Sequence, residues 1–292
     1  MLHHKNWILS VLIVLCTVDV LQAQTADTVK SNAEQTEARR IKYLQGLRKL
    51  SSSKELKHAD SVKEARNIFE SDIRLLSQDY QRINRDVFRM QIEMGEFKWI
   101  SDTYVDEDFV IKARVVRPAT QEEYERSVNE FKELLNTPEN LEREREIAAQ
   151  IGKPAPLFSV VDVDGMPYDL SQLKGKVVVL NFWFIGCAPC KREMPELNKL
   201  VEKYEAKDVV FLAFEVNNYP ATKLKAIMSK SFHYTLVPSK RSDVAKVYEV
   251  KTYPTSYVID QSGVIRFGLA GYNPFKLPEL DEAIEKLLTT KI

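Results

Sequence analysis

Cys187 and Cys190 are separated by two residues and fall where an apolar run, Val177 to Phe184, gives way to a helical pattern. A thiol pair at that spacing can cycle between dithiol and disulfide, supply half of a metal site, or close a small structural loop. As a staple it would contribute little, because two intervening residues close little chain entropy. The metal site lacks ligands: the third cysteine is at position 16 and the four histidines are at 3, 4, 58 and 233. Neither zinc nor haem is expected, nor any other cofactor. Redox exchange remains. At a helix start, unpaired backbone N–H groups and the positive end of the dipole favour an anion, and such settings lower the thiol pKa from about 8.5 to between about 3.5 and 7.5. Cys187 is therefore expected to be the attacking thiolate. Cys190, one turn in, is the shielded thiol that resolves a mixed disulfide. Pro189 suits the first turn, where its missing N–H would have no partner anyway.

The elements that must hold this pair follow from punctuation and periodicity. Nine glycines and twelve prolines make 21 helix-interrupting residues, and only Gly46, Gly95, Pro118 and Pro138 precede residue 151. This predicts a mainly helical domain over 24–150 and a second, turn-rich domain over 151–292. In the second, strands alternate with helices, which implies an α/β fold with a largely parallel or mixed sheet. Val177–Phe184 is apolar apart from Asn181, as a strand buried on both faces should be. A helix is expected from about 188 to 205, a strand over 209–216, helices after Pro220, near 242–250 and over 278–289, and strands over 256–260 and 264–269. In the first domain Phe69, Ile73, Leu76, Tyr80, Ile83, Val87, Met90 and Met94 are spaced alternately four and three apart, which predicts a helical heptad seam. Such a seam needs a partner: either the stripe Tyr124, Val128, Phe131 and Leu135 of the same chain, or a second copy in a homodimer. Between them, residues 108–116 read as one short strand or an extended connector.

Three separate motifs then carry a family resemblance. Leu180-Asn181-Phe182-Trp183, Cys187-Ala188-Pro189-Cys190-Lys191-Arg192-Glu193-Met194-Pro195 and Thr252-Tyr253-Pro254-Thr255 resemble the thioredoxin-like, TlpA/ResA-type exported thiol-disulfide oxidoreductases. The resemblance covers 151–292 and implies a thioredoxin fold, with Cys187 as nucleophile, Cys190 as resolving thiol and Pro254 as a cis-proline facing them. With that bond cis, the backbone of Thr252 and Tyr253 could pair with an extended client by strand addition. Glu193, three residues after Cys190 on the same helical face, is placed by the resemblance near the exchange of a proton with Cys190; the alternative is a solvated glutamate paired with Lys191 or Lys199. Asn181 stands where cytosolic thioredoxins carry a buried aspartate, which favours Glu193 as the base. One departure is Gly186, where the family commonly has tryptophan. Glu215, a charge at the end of an apolar strand, is expected to emerge into solvent or to line the site. Lys191 and Arg192 are expected to be solvated, and His233 to be a surface or packing residue.

Lys plus Arg and Asp plus Glu number 42 each, so the charge balance suggests no nucleic-acid partner. The start of the chain has a basic opening, an apolar run from Trp7 to Val18 and the small-residue site Leu21-Gln22-Ala23, which reads as a cleaved secretory signal over 1–23 rather than a membrane anchor. Cleavage would remove Cys16 and leave one redox pair in an exported protein, in the periplasm or cell envelope. The expected partners are disulfide-bearing client proteins and an upstream thiol donor, with reduction of clients the direction that the resemblance favours. Two other functions compete. Gly152-Lys153-Pro154-Ala155-Pro156-Leu157-Phe158 and Lys174-Gly175-Lys176 also look like peroxiredoxin openings, although peroxiredoxins carry threonine or serine three residues before the reactive cysteine and this chain has Phe184 there. The other is an envelope interaction protein that uses its helical segment, with the thioredoxin-like domain as a platform.

Overall fold

A computed structural model describes residues 28–66, 70–94 and 97–289. The expected signal segment and Cys16 lie outside the described residues. The chain divides into two compact units, the first ending at Tyr124 and the second beginning at Glu125.

In the first unit, helix α1 runs over 28–44 and is followed by strand β1 (Arg48–Lys49), α2 (Ser53–Ala65), β2 (Arg74–Leu76), α3 (Arg85–Met94), β3 (Trp99–Val105) and β4 (Ile111–Pro118). Helices thus precede the second unit as expected, but the strands form a four-stranded sheet in the order β1-β3-β4-β2. Of these strands the sequence announces only β4. The alternation of buried and partly buried positions along β4 sends Ile111, Ala113 and Val115 to the core, with Leu76 and Val105 beside them.

The heptad seam is not one helix. Its first residue, Phe69, lies outside the described residues. Ile73 and Leu76 are buried in and beside β2, Tyr80 has a left-handed φ of 56°, and the Asn84 side chain accepts the Val87 N–H at 2.8 Å to start α3 afresh. The spacing therefore runs across a strand, a turn and a separate helix, each with its own period. Among the described residues from 73 to 94 there is no continuous helical stripe for a partner to meet.

The second unit begins within α4 (Gln121–Leu135), whose start carries a reciprocal cap: the Glu123 N–H donates to Thr120 Oγ1 and the Thr120 N–H donates to Glu123 Oε2. There follow α5 (Pro138–Ala148), the hairpin β5 (Ser159–Val161) and β6 (Pro167–Asp169), then β7 (Val177–Trp183), α6 (Ala188–Tyr204), β8 (Val209–Glu215), α7 (Ala221–Met228), β9 (Thr235–Pro238), α8 (Val244–Val247), β10 (Thr255–Ile259), β11 (Ile265–Ala270) and α9 (Leu277–Thr289). The five-stranded sheet has the order β11-β10-β7-β8-β9. β7 pairs parallel with β8 and antiparallel with β10, so the sheet is mixed. Every residue of β7 is buried, as its unbroken apolar sequence requires of a strand covered on both faces. Val177, Val179 and Trp183 face one core with α6 and α9, while Val178, Leu180 and Phe182 face the other. Helix α5 packs on β11 so closely that a Cβ added at Gly268 would lie 2.5 Å from the Ile147 side chain. No described helix is long and apolar enough to cross a membrane.

Candidate active site

The site forms where β7 ends. Trp183 is the last strand residue, Phe184 to Gly186 make a turn, and Cys187 caps α6. Gly186 has φ +94°, a left-handed conformation that a side chain would strain. The absence of the family's tryptophan thus suits the backbone at this turn. Cys187 and Cys190 are joined in a disulfide with Cα atoms 5.3 Å apart. The Cys190 N–H donates to Cys187 Sγ at 3.2 Å, so one of the helix's unpaired N-terminal donors points at this sulfur. Both residues are nearly covered, Cys187 at 4% exposure and Cys190 at 1%. They share a core with Trp183, Met194 and Leu197.

Glu193 is not a surface glutamate. It is 2% exposed, and Asn181 Nδ2 donates to its Oε1 at 2.7 Å and to Ser256 Oγ at 3.0 Å. Burial pushes the carboxyl up to about 8, against the opposing effect of the Asn181 hydrogen bond. Lys199 pairs with Glu196 instead. Near the carboxyl, the Tyr234 phenol is also buried, its hydroxyl makes no hydrogen bond among the described residues, and burial and then the Glu193 charge raise its pKa.

Tyr253-Pro254 is cis. Pro254 O accepts the Gly271 N–H at 2.7 Å, and Thr252 O accepts the Thr255 hydroxyl at 2.7 Å. The Tyr253 ring meets the Phe184 ring edge to face at 5.6 Å, which connects the cis-proline turn to the loop that leads into Cys187. His233 is exposed, with Nδ1 3.7 Å from the Glu202 carboxylate.

Glu215 overturns the expectation of a charge emerging into solvent. It is fully buried, and its carboxylate accepts backbone N–H groups from Ile185 at 3.3 Å, Asn217 at 3.2 Å and Tyr219 at 2.9 Å. One buried carboxylate thereby fastens the loop before Cys187 to the loop after β8. Sequence position does mark it, as the one charge at the end of β8. Glu215→Gln keeps the size but turns one acceptor oxygen into a donor facing N–H groups, so about 1–3 kcal/mol of stability should be lost. Denaturant unfolding of the two proteins measures it, and unchanged midpoints would show that the loop is held by other contacts.

Among the described residues no group of three or more His, Cys, Asp or Glu side chains is placed to hold a metal ion.

The AhpC/TSA family model matches residues 151–267. The thiol-disulfide oxidoreductase ResA of Bacillus thuringiensis subsp. konkukian is 32% identical over 143 residues, 49% of this chain and 82% of that protein. The ResA of Bacillus anthracis is 36% identical over 116 residues, 40% of this chain and 67% of its own. Among solved structures, a thiol:disulfide interchange protein of Chlorobium tepidum TLS aligns with 47% of this chain and 97% of its own at 26% identity and a TM-score of 0.42. Taken with the mixed sheet and the cysteine pair at the head of α6, the match to most of the ResA chain places this protein in the thioredoxin-like ResA family, and it is a thiol-disulfide oxidoreductase.

Proposed function

We propose that the protein is an exported reductase of disulfides in client proteins, with Cys187 as nucleophile and Cys190 as resolving thiol. The observation that carries this reading is the Cys190 N–H directed at Cys187 Sγ from the first turn of α6, because the same donor and dipole stabilise a thiolate once the bond is reduced. The reduced Cys187 thiolate attacks a client disulfide, forms a mixed disulfide and releases one client thiolate. The Cys190 thiolate then attacks Cys187, regenerates the internal disulfide and releases the second client thiolate. Two electrons pass to the client, and an upstream thiol donor restores the dithiol. Glu193 exchanges a proton with Cys190, three residues before it on the same helix, since a group near about 8 can give or take a proton close to neutral pH. Thr252, Tyr253 and Pro254 provide the edge along which an extended client lies.

Residues 1–23 serve as a cleaved signal, and the protein works in the periplasm or cell envelope. Residues 151–292 carry the catalytic chemistry and residues 24–150 an accessory role, with α5 at the end of the accessory stretch packed on β11 within the second compact unit. Phe184, packed on Tyr253 where a peroxidase would carry a hydroxyl, favours disulfides over peroxide as substrate. The test is turnover of insulin disulfides by the purified chain lacking its first 23 residues, with a dithiol donor. Steady thiol-dependent turnover is expected, whereas consumption of hydrogen peroxide without disulfide turnover would reverse the assignment.

A further inference from the structure

Three arginines lie between 151 and 292. Arg266 is paired with Asp260 at 2.6 Å. Arg192 and Arg241 have no carboxylate partner among the described residues, and both stack on aromatic rings that border the cis-proline turn. The Arg241 guanidinium carbon is 5.0 Å from the Tyr253 ring centre and 5.5 Å from that of Phe184, with Nε donating to Asn217 Oδ1 at 3.3 Å. Tyr253 precedes Pro254, and Phe184 O accepts the Cys187 N–H at 3.1 Å.

Arg192 follows Cys190 by two residues and is partly buried rather than solvated. Its guanidinium carbon lies 5.9 Å from the Tyr272 ring centre, and its Nε is buried without a hydrogen-bond partner. Tyr272 adjoins Gly271, whose N–H donates to Pro254 O. Phe131 of α4 braces this ring at 6.3 Å. Each guanidinium is thus connected to the turn on which a client would lie, one through Tyr253 and the other through Tyr272.

Two acidic residues close to these cations in sequence or through a shared hydrogen-bond partner, Glu193 beside Arg192 and Glu215 beside Asn217, are engaged inside the protein. Glu193 is buried on Asn181, and Glu215 is buried on three backbone N–H groups. A guanidinium laid on an aromatic face is ordered before binding and still presents a planar fork of donors that matches a carboxylate. We infer that Arg192 and Arg241 select clients whose attacked cysteine is flanked by carboxylate side chains, so that the preferred substrate is an acidic, extended protein segment. This deepens the reductase reading and rests on it.

The test uses two disulfide-bonded peptides of the same length, with glutamate or glutamine flanking the cysteines, and compares their kcat/KM with the full mature chain. At an ionic strength of about 20 mM the glutamate peptide should be reduced about fivefold faster, and at about 500 mM the preference should shrink toward unity. Arg192→Gln combined with Arg241→Gln should bring the ratio close to one. Arg241→Lys, which keeps the charge but not the fork, should retain part of it. Equal rates on the two peptides with the unaltered protein, or a ratio unmoved in the double variant, would overturn the inference. Failure of the unaltered protein to reduce either peptide would overturn the reductase reading itself, and this inference with it.

Discussion

Replacing Cys190 with alanine should turn the protein from a catalyst into a trap, whereas Cys187→Ser should abolish the reaction before any covalent species forms. The asymmetry follows from the head of α6. Cys187 occupies the cap, with the Cys190 N–H on its sulfur, and it is the more exposed of two nearly buried residues. Under the proposed reaction an entering client disulfide should meet Cys187 first, where helix donors favour a thiolate. Without Cys190 no internal thiol can displace the client, so a Cys187–client disulfide persists until an external thiol attacks it. Turnover should fall to the uncatalysed background in both variants. Only Cys190→Ala should give a higher-mass species on non-reducing gels that dithiothreitol removes. The opposite pattern, with the trapped species formed by Cys187→Ala through Cys190, would reverse the two roles.

The elements that position this chemistry are legible in the sequence for a physical reason. β7 needs to be apolar on both faces, and its seven residues read as a buried strand from composition alone. The helix after it is marked by a thiol cap and an early proline, both of which act locally. The cis bond before Pro254 is reachable only through resemblance, since most X-Pro bonds are trans. β9 leaves little trace because it is four residues long and ends in proline, and its pairing partner β8 lies some twenty residues earlier. The seam that ends at Met94 misleads because spacing alone does not record that the chain reverses at Tyr80.

Charged residues are the least legible. A glutamate on a helix, or at a strand end, is solvated unless something distant covers it. For Glu193 the cover comes with Asn181, twelve residues earlier, and Ser256, far later, and for Glu215 with the loops on either side of it. Arg192 and Arg241 gain meaning in the same way, from rings at 272 and 253 that sequence spacing does not bring near them. Local signals thus specify the disulfide and its helix, while the polar groups that tune them depend on long-range packing.

The burial of Glu193 has the largest thermodynamic consequence. Burial pushes its carboxyl up to about 8 in the folded protein, against an ordinary value of 4.5. Between those two values the folded state holds a proton that the unfolded chain has released, so stability falls as pH rises through this window. The contribution is fully present below about 4.5 and lost above about 8, and the span corresponds to a change on the order of 5 kcal/mol. Glu193→Gln keeps an oxygen to accept the Asn181 hydrogen bond but has no proton to lose. Denaturant midpoints of the two disulfide-bonded proteins, measured at intervals from pH 5 to 8.5, should therefore diverge steadily, with the unaltered protein losing stability relative to the variant. Parallel curves would mean that the carboxyl is hydrated and ionised within the fold. The same titration would act in catalysis under the proposed proton exchange with Cys190: below about 8 the Glu193 carboxyl is mostly a neutral acid, and above it a base. The pH profile of client reduction should accordingly lose an ionisation near this value in Glu193→Gln while the Cys187 ionisation remains, a separation that loss of packing alone would not produce.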